Sequence, residues 1–324
     1  MNTQPEPLRD LIIIGAGPTG LAAAIYAARE GMTTLVVEKA IIGGMAAITD
    51  VIDNYPGFEN GVGGLELSDH LYAQAKRFGA VVQTGVEVTG LSREGNEVTL
   101  TTKTGVLRAL SVLVATGSTY RQLGVPGEAE LIGKGVHFCA TCDGPVYRGK
   151  DLVVVGGGNS ALQESLFLAK FAKSVTILMR GREMGGSEIL RSQVRDLPII
   201  SARYETVIDR LIPNDNGIGI KQVQVTTAGQ PSEPLTPDGV FVFIGLLPNT
   251  DAFIGTLPAD EYRFLTTDMH YGTAMTGVYV AGDVRSGSTW QIASAVGEGV
   301  SATLAIRKYL DELKHVSPEL RSTI

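Results

Sequence analysis

The sequence predicts an α/β fold built on two copies of a strand–helix–strand unit whose strands are parallel. Each copy has a short apolar strand, a glycine-rich turn, a helix and a second strand. In the first copy these segments are residues 11–14, 15–20, 21–29 and 34–38. In the second copy they are residues 152–155, 156–161, 162–170 and 174–179. This repeated order is typical of doubly wound parallel sheets, and a chain of 324 residues is long enough for two domains.

The glycines of both turns indicate nucleotide sites. In the first turn Gly15 permits a tight turn, Gly17 lets the backbone approach a pyrophosphate, and Gly20 lets the helix pack closely on the strand. The equivalent residues of the second turn are Gly156, Gly158 and Ala161. A phosphate then lies at a helix N-terminus, where free N–H groups and the helix dipole favour an anion. The sequence therefore predicts two Rossmann-like nucleotide-binding domains. Each is predicted to have a three-layer ββα architecture.

The rest of the chain is predicted to be mostly strands. Residues 87–114 alternate as β-strands do, with a turn at 94–96, and a further strand is predicted over 240–245. Residues 277–284 are a buried strand that ends in Gly282-Asp283, and a helix is predicted over 291–310. Residues 315–324 have no clear periodicity and are predicted to be a tail.

Composition and charge exclude some classes of partner. The net charge is −7 and no Lys/Arg-rich block is present, which argues against nucleic acid or an anionic membrane surface. The apolar stretch 11–28 is interrupted by glycines and fits a strand–turn–helix better than a membrane span. Residues 1–10 are polar and lack the pattern of a signal peptide, so the protein is predicted to be cytoplasmic.

Both cysteines of the chain lie in one segment, Cys139-Ala140-Thr141-Cys142. A structural disulfide framework needs more cysteines than these two. A zinc site needs about four ligands, and besides the two cysteines only His137 is close enough in sequence to be a third. The pair is therefore predicted to be a redox-active dithiol without a metal. Asp143 is placed to exchange a proton with that dithiol, and it is alternatively a simple turn residue.

Two further carboxylates are candidates for nucleotide contacts. Glu38 ends the second strand of the first unit, where a carboxylate accepts hydrogen bonds from ribose hydroxyls; the alternative is a surface charge. Asp283 precedes a helix and is predicted to face the first glycine turn, to cap the helix, or both. In the second unit the residue equivalent to Glu38 is Met179, which accepts such hydrogen bonds poorly.

Together these segments resemble the low-molecular-weight thioredoxin reductases almost from end to end. The most specific part is the Cys-Ala-Thr-Cys-Asp-Gly block between the two nucleotide turns. The motifs that stand in the family's order are residues 15–20, 54–57, 115–117, 139–144, 156–161 and 282–285.

The resemblance implies a thioredoxin reductase/glutathione reductase-like architecture and a homodimer. Residues 1–118 with 248–324 would form a FAD-binding domain, and residues 119–247 a pyridine-nucleotide-type domain that carries the redox disulfide. Electrons would pass from the flavin to the Cys139–Cys142 pair and then to thioredoxin or a similar protein disulfide. Asp143 would be the general acid, and Asp283 would hold the ribityl chain of FAD.

The resemblance also implies a set of cofactor contacts. The helix that opens at Gln291 and Ile292 would stabilise negative charge on a reduced flavin. The residues implied to contact FAD are Gly15, Gly17, Pro18, Thr19, Gly20, Glu38, Lys39, Gly44, Met45, Asn54, Thr116, Gly117, Gly282, Asp283, Trp290, Gln291 and Ile292. A possible second nucleotide site would use Gly156, Gly158, Asn159, Ser160 and Arg180.

The chain departs from the family at the end of the second unit. Members that use NADPH have a His-Arg-Arg cluster and a further Arg downstream, whereas this chain has Met179-Arg180-Gly181-Arg182 and then Gly185-Gly186. Arginines at this point pair with the 2′-phosphate of NADPH. The change makes NADPH use doubtful and resembles thioredoxin-reductase-like flavoenzymes that take electrons from ferredoxin. The alternative is family drift with NADPH use intact.

Two other hypotheses about the function stay open at this point. A ferredoxin–NADP reductase of the same architecture would lack the dithiol, and a non-catalytic nucleotide sensor would need neither the dithiol nor a complete flavin site.

Trp290, the only Trp, stands where the family often has an Arg. It is predicted to stack on the flavin or to occupy the approach of the nicotinamide; the alternative is that it packs at a dimer interface.

Overall fold

The computed structural model describes residues 7–49, 51–52 and 54–316. The chain divides into two compact units. Unit 1 comprises Met1–Thr119 and Leu247–Ile324, and unit 2 comprises Tyr120–Leu246. No helix in the described part of the chain is long and apolar enough to cross a membrane.

The elements follow one another in chain order. The N-terminal elements are β1 (Arg9–Ile14), α1 (Pro18–Arg29), β2 (Thr34–Glu38), α2 (Gly44–Ala47), β3 (Val51–Ile52), β4 (Val62–Gly63), α3 (Gly64–Arg77), β5 (Val81–Thr84), β6 (Val88–Glu94), β7 (Glu97–Thr102), β8 (Gly105–Val114) and β9 (Ser118–Tyr120). The elements that follow are α4 (Glu128–Leu131), β10 (Val136–His137), α5 (Ala140–Asp143), a 3-10 helix (Gly144–Tyr147), β11 (Asp151–Val155), α6 (Asn159–Leu168), β12 (Ser174–Leu178), α7 (Glu188–Asp196), β13 (Ile200–Arg203), β14 (Thr206–Pro213), β15 (Ile220–Thr227), β16 (Glu233–Leu235), β17 (Gly239–Val242) and β18 (Leu246–Pro248). The return to unit 1 adds β19 (Val278–Val280) and α8 (Ile292–Val316).

The sheet of unit 1 has the strand order β5-β2-β1-β8-β7-β6, and β19 pairs with the C-terminal half of β8. Strands β5, β2, β1, β8 and β19 are parallel, so their carboxyl ends lie at one edge. The apolar residues of β1 alternate between faces: Leu11 and Ile13 join the core under α1 and α8, and Ile12 and Ile14 join the core under the β6–β8 meander. Both faces are therefore covered, which gives the predicted ββα layering.

Unit 2 repeats this plan on a smaller scale. Its parallel sheet has the order β10-β17-β11-β12-β13, and a separate antiparallel sheet is formed by β14, β15 and β16. One face of the parallel sheet packs against α6, where Ala161 and Leu162 are buried with Val154 and Ile177. The other face packs against the antiparallel sheet through Val223 and Val225.

Both predicted βαβ units are present, and the differences lie at element ends. Helix α1 begins at Pro18 rather than at residue 21, because Pro is tolerated in the first turn of a helix, where its missing N–H is no loss. Helix α8 continues to Val316, six residues beyond the predicted end, so residues 315 and 316 of the predicted tail are helical. Residues 317–324 lie outside the described residues.

Candidate active site

The first glycine turn leaves open space at the place where a pyrophosphate is predicted. Gly15 has φ of 107°, and a Cβ there would lie 2.4 Å from the carbonyl oxygen of Ala115. A Cβ on Gly20 would lie 1.9 Å from the carbonyl oxygen of Gly15, so α1 packs tightly on the turn. A Cβ on Gly17, in contrast, would meet no atom within 4 Å. The turn is thus closed towards the protein and open at its middle glycine.

Glu38 is fixed at the end of β2 by the turn itself. Its Oε2 accepts a 2.8 Å hydrogen bond from the N–H of Ala16, and its Oε1 accepts one of 2.8 Å from the N–H of Ala40. These two bonds hold the carboxylate beside the glycine turn. The next predicted contact residue, Lys39, is exposed.

Other predicted contact residues either lie beside this turn or bond to one another within unit 1. A Cβ on Gly44 would lie 3.6 Å from the Cα of Gly17, while the neighbouring Met45 side chain is 38% exposed. The amide of Asn54 donates to the Oε1 of Gln291 at 3.1 Å, which ties the 54–57 segment to the residue before α8. Thr116 and Asn249 exchange two 2.8 Å hydrogen bonds, which anchor the Thr116-Gly117 turn.

Gly282 and Asp283 follow β19 at the same sheet edge. Gly282 has φ of 77°, and a Cβ there would lie 2.2 Å from the hydroxyl oxygen of Thr19, so only glycine fits. Its N–H donates to the Oε2 of Glu298 at 2.7 Å, and the guanidinium of Arg285 donates to both Glu298 oxygens. The Glu298 contact was not predicted from the sequence, because Glu298 lies in a helix with no motif around it.

The carboxyl group of Asp283 has a perturbed acidity. Burial raises its pKa from 3.8 to about 6, the carboxylate of Glu298 adds to the increase, and a hydrogen bond from Ser288 opposes it. The hydroxyl of Ser288 lies 3.4 Å from the Oδ1 of Asp283. A carboxyl group that ionises near pH 6 can accept or donate a hydrogen bond to a polar ligand near neutral pH.

Trp290 takes a backbone conformation that is unusual for a large residue. Its φ is 51°, its side chain is 41% exposed, and its ring is tilted against Phe264 at 5.9 Å between centroids. Gln291 follows at the entrance to α8, whose first residue is Ile292. The indole therefore lies close to the N-terminus of α8 and is partly accessible.

The second glycine turn has the backbone geometry of the first. A Cβ on Gly156 would lie 2.4 Å from the carbonyl oxygen of Phe243, and a Cβ on Gly158 would meet no atom within 4 Å. Asn159 opens α6, and its side-chain oxygen accepts a 2.7 Å hydrogen bond from the N–H of Ser187. Ser160 is exposed in the first turn of this helix. The turn retains room for a phosphate.

The residue after the second strand differs from its counterpart in the first unit. Met179 is 2% exposed, and its Cγ and Sδ would both lie 3.0 Å from a Cβ on Gly157. Gly157 is the counterpart of Ala16, whose N–H bonds to Glu38. A thioether therefore lies in unit 2 at the place where a carboxylate lies in unit 1.

The arginines that follow Met179 are at the surface. Arg182 donates to the Oε1 of Glu205 at 2.8 Å and is 86% exposed. Arg180 is also exposed, and no ion pair to it is present among the described residues. Gly185 donates its N–H to the carbonyl of Gly157 at 2.7 Å, so this segment folds back on the glycine turn.

Cys139 and Cys142 form a disulfide with their Cα atoms 5.3 Å apart. The short helix α5 begins after Cys139, whose sulfur accepts a 3.1 Å hydrogen bond from the N–H of Cys142. The N–H of Asp143 donates to the carbonyl of Cys139 at 3.1 Å, which places the Asp143 carboxyl directly after the disulfide loop. Both cysteines and Asp143 are partly exposed.

Two residues beside the disulfide were missed by sequence reasoning. The ring of His137 lies 3.3 Å from the Oδ2 of Asp143 through Nδ1 and 2.7 Å from the hydroxyl of Tyr147 through Nε2. The sequence drew attention to His137 only as a metal ligand, and nothing marked Tyr147. In the described part of the chain no group of three or more His, Cys, Asp or Glu side chains is placed to hold a metal ion.

Comparisons with known proteins bear on the family and the fold of the chain. A family model described as pyridine nucleotide-disulphide oxidoreductase matches residues 9–299. A thioredoxin reductase of Bacillus subtilis is 37% identical over 98% of this chain and 99% of its own length. The thioredoxin reductase structure from Streptococcus pyogenes has a TM-score of 0.90 at 32% identity, covering 95% of this chain and all of that chain. An atypical thioredoxin reductase from Desulfovibrio vulgaris Hildenborough, also 32% identical, has a TM-score of 0.51 over 94% of this chain and 98% of its own.

These likenesses confirm the predicted α/β fold with Rossmann-like sheets and the predicted class of enzyme. The chain belongs to the pyridine nucleotide-disulphide oxidoreductase family and is a flavin disulfide oxidoreductase of the thioredoxin reductase type.

Proposed function

We propose that this enzyme passes electrons from FAD to the Cys139–Cys142 disulfide and then to thioredoxin or a similar protein disulfide. The observation that carries the proposal is the disulfide itself, in a short helical loop that ends in Asp143. A ferredoxin–NADP reductase would not need this disulfide, and neither would a nucleotide sensor.

Unit 1 is the proposed FAD domain. The open space at Gly17 and the fixed carboxylate of Glu38 fit the pyrophosphate and ribose of a dinucleotide. Asp283 would hold the ribityl chain, and the N-terminus of α8 would face the flavin ring, beside Trp290. Bound FAD supplies the two-electron chemistry that the side chains of this protein lack.

The electron donor is proposed to be ferredoxin rather than NADPH. Support comes from Met179, which puts a buried thioether where a ribose-binding carboxylate lies in unit 1. Further support comes from the positions of Gly181 and Gly185, where NADPH-dependent members of the family have arginines. Residues 179–186 therefore contain two arginines, Arg180 and Arg182, and Arg182 is paired with Glu205. The site is poor for the ribose diol of NADH and weakened for the 2′-phosphate of NADPH.

One observation favours NADPH as a second candidate donor. The glycine turn of unit 2 keeps its open space at Gly158, and Arg180 is exposed beside it. A turn of this form binds a pyrophosphate whatever the ribose contact is.

Anaerobic stopped-flow reduction separates the two donors. The purified holoenzyme is mixed with photoreduced ferredoxin, NADPH or NADH, and bleaching of the flavin absorption band is followed. The proposal expects rapid bleaching with ferredoxin and none with either nucleotide at micromolar concentration. Rapid bleaching by NADPH, with ferredoxin inert, would establish the ordinary NADPH-dependent enzyme instead.

A further inference from the structure

A side-chain cluster lies next to the disulfide within unit 2. His137 ends β10 and is 8% exposed, and its ring packs against Tyr147 and Phe241, each at 5.2 Å between centroids. Its Nε2 lies 2.7 Å from the Tyr147 hydroxyl, and its Nδ1 lies 3.3 Å from the Oδ2 of Asp143. The cluster thus connects a buried imidazole to the carboxyl group that directly follows Cys142.

These contacts favour one arrangement of protons. Burial, with the charges of Asp143 and Asp238, raises the pKa of Tyr147 to about 12, so its hydroxyl keeps its proton at neutral pH. If the Tyr147 hydroxyl donates to Nε2, the imidazole proton is on Nδ1 and points at the Oδ2 of Asp143. The His137 imidazole thus contacts the Asp143 carboxyl through Oδ2.

We propose that His137 is a positioning residue that holds the Asp143 carboxyl for proton exchange with the Cys139–Cys142 dithiol. Tyr147 and Phe241 in turn hold the imidazole ring. The inference rests on the proposed function of the cysteine pair as a redox dithiol.

The chemistry that it serves is balanced without another reactant. Reaction of the dithiol with an external disulfide forms the Cys139–Cys142 bond and breaks the external S–S bond. Two electrons and two protons leave the enzyme thiols and go to the two departing sulfurs. Asp143 takes a thiol proton as the attacking thiolate forms and returns it to a departing sulfur.

The test measures thiol–disulfide exchange alone, without an electron donor or thioredoxin. The holoenzyme is reduced with dithiothreitol, desalted under anaerobic conditions and mixed with excess 5,5′-dithiobis(2-nitrobenzoate). The rate of the first burst of coloured thiolate is recorded across pH. A hydrogen-bond donor favours the charged form of a carboxylate, so loss of the His137 donor should move this pH profile upwards as long as Asp143 is present.

A small set of variants separates positioning from mere packing. His137→Phe keeps a ring but loses the donor, and His137→Asn keeps an amide N–H close to the place of Nδ1. Tyr147→Phe removes only the hydroxyl that orients the imidazole. His70→Asn is the matched control, because His70 is an exposed histidine of α3 in unit 1.

The expected result is the full shift for His137→Phe, a smaller one for Tyr147→Phe and almost none for His137→Asn or His70→Asn. In an Asp143→Asn background, His137→Phe should cause no shift. Profiles of His137→Phe and Tyr147→Phe that overlay the wild type would overturn the proposal, as would an equal shift in the Asp143→Asn background. If His137→Phe fails to fold, the comparison of the pH profiles of Tyr147→Phe and His137→Asn decides between positioning and packing. The expected shifts without any reduction of thioredoxin would refute the proposed substrate and leave the role of His137 standing.

Discussion

Met179 occupies in the second βαβ unit the place that Glu38 occupies in the first. The Glu38 carboxylate accepts a hydrogen bond from the N–H of Ala16, whereas the Met179 thioether packs on Gly157, the counterpart of Ala16. The backbone turns themselves match, since Gly15 and Gly156 are each packed against a carbonyl oxygen 2.4 Å from where a Cβ would lie. The two units therefore share the form of the glycine turn and differ in the side chain that lies beside it.

Replacement of Glu38 should weaken FAD binding. Glu38→Met removes the charged acceptor, and a hydrogen bond to a charged group is worth about 1.5–3 kcal/mol, which corresponds to roughly 10–150-fold in affinity. The affinity is measured by titrating apoprotein with FAD and following the flavin fluorescence. Glu38→Gln is the matched control and should lose less, because it keeps one acceptor; equal affinity of Glu38→Met and wild type would refute the assigned contact.

The reverse replacement should create a ribose contact in unit 2. Met179→Glu places a carboxylate beside Gly157, and we expect NADH to bleach the flavin detectably in this variant. Met179→Gln has nearly the same size without the charge and should gain less. If Met179→Glu holds its flavin and folds but neither binds nor oxidises NADH, Met179 is not what limits nucleotide use.

Two glycines of the first turn should separate stability from cofactor binding. Gly20→Ala puts a Cβ 1.9 Å from the carbonyl oxygen of Gly15 and should lower the free energy of unfolding of the apoprotein by about 1–3 kcal/mol. Gly17→Ala meets no protein atom within 4 Å and should leave that stability nearly unchanged. It should still weaken FAD binding, because its methyl group occupies the space proposed for the pyrophosphate. Thermal melts of both apoproteins with FAD titrations check the pair, and a stable Gly20→Ala variant would contradict the packing.

The perturbed carboxyl group of Asp283 should make the stability of the apoprotein depend on pH. Its pKa is raised from 3.8 to about 6 in the folded chain, so the folded state holds the proton more tightly than the unfolded state. The stabilisation is then fully present below about pH 4 and is lost as the pH rises to about 6. Asp283→Asn should flatten the fall in melting temperature between these pH values, whereas the exposed Asp69→Asn should not. A slope in Asp283→Asn equal to that of the wild type would contradict the assignment.

The features that sequence reasoning found are local in the chain. Both glycine turns were predicted because a strand, glycines and a helix follow one another within about 25 residues. The Cys139–Cys142 pair was predicted because only two small residues separate the two cysteines. The equivalence of Met179 and Glu38 followed from the repeat alone.

The features that were missed depend on tertiary packing. His137 ends a two-residue strand and Tyr147 lies in a 3-10 helix, and only the fold of unit 2 brings both to Asp143. Glu298 reaches the N–H of Gly282 because α8 packs against α1, where Gly299 lies against the carbonyl of Thr19. In both arrangements the contacting residues form no motif that can be recognised in a single sequence.

The most direct test counts thiols on thioredoxin. Oxidised thioredoxin is incubated anaerobically with catalytic holoenzyme and either photoreduced ferredoxin or NADPH, and its free thiols are quantified by alkylation and mass spectrometry. The wild type should reduce thioredoxin with ferredoxin and not with NADPH, and Cys142→Ser should be inactive although its flavin is still reduced. Reduction of thioredoxin by Cys142→Ser at the wild-type rate would contradict the role of the disulfide, and reduction supported by NADPH alone would contradict the proposed donor.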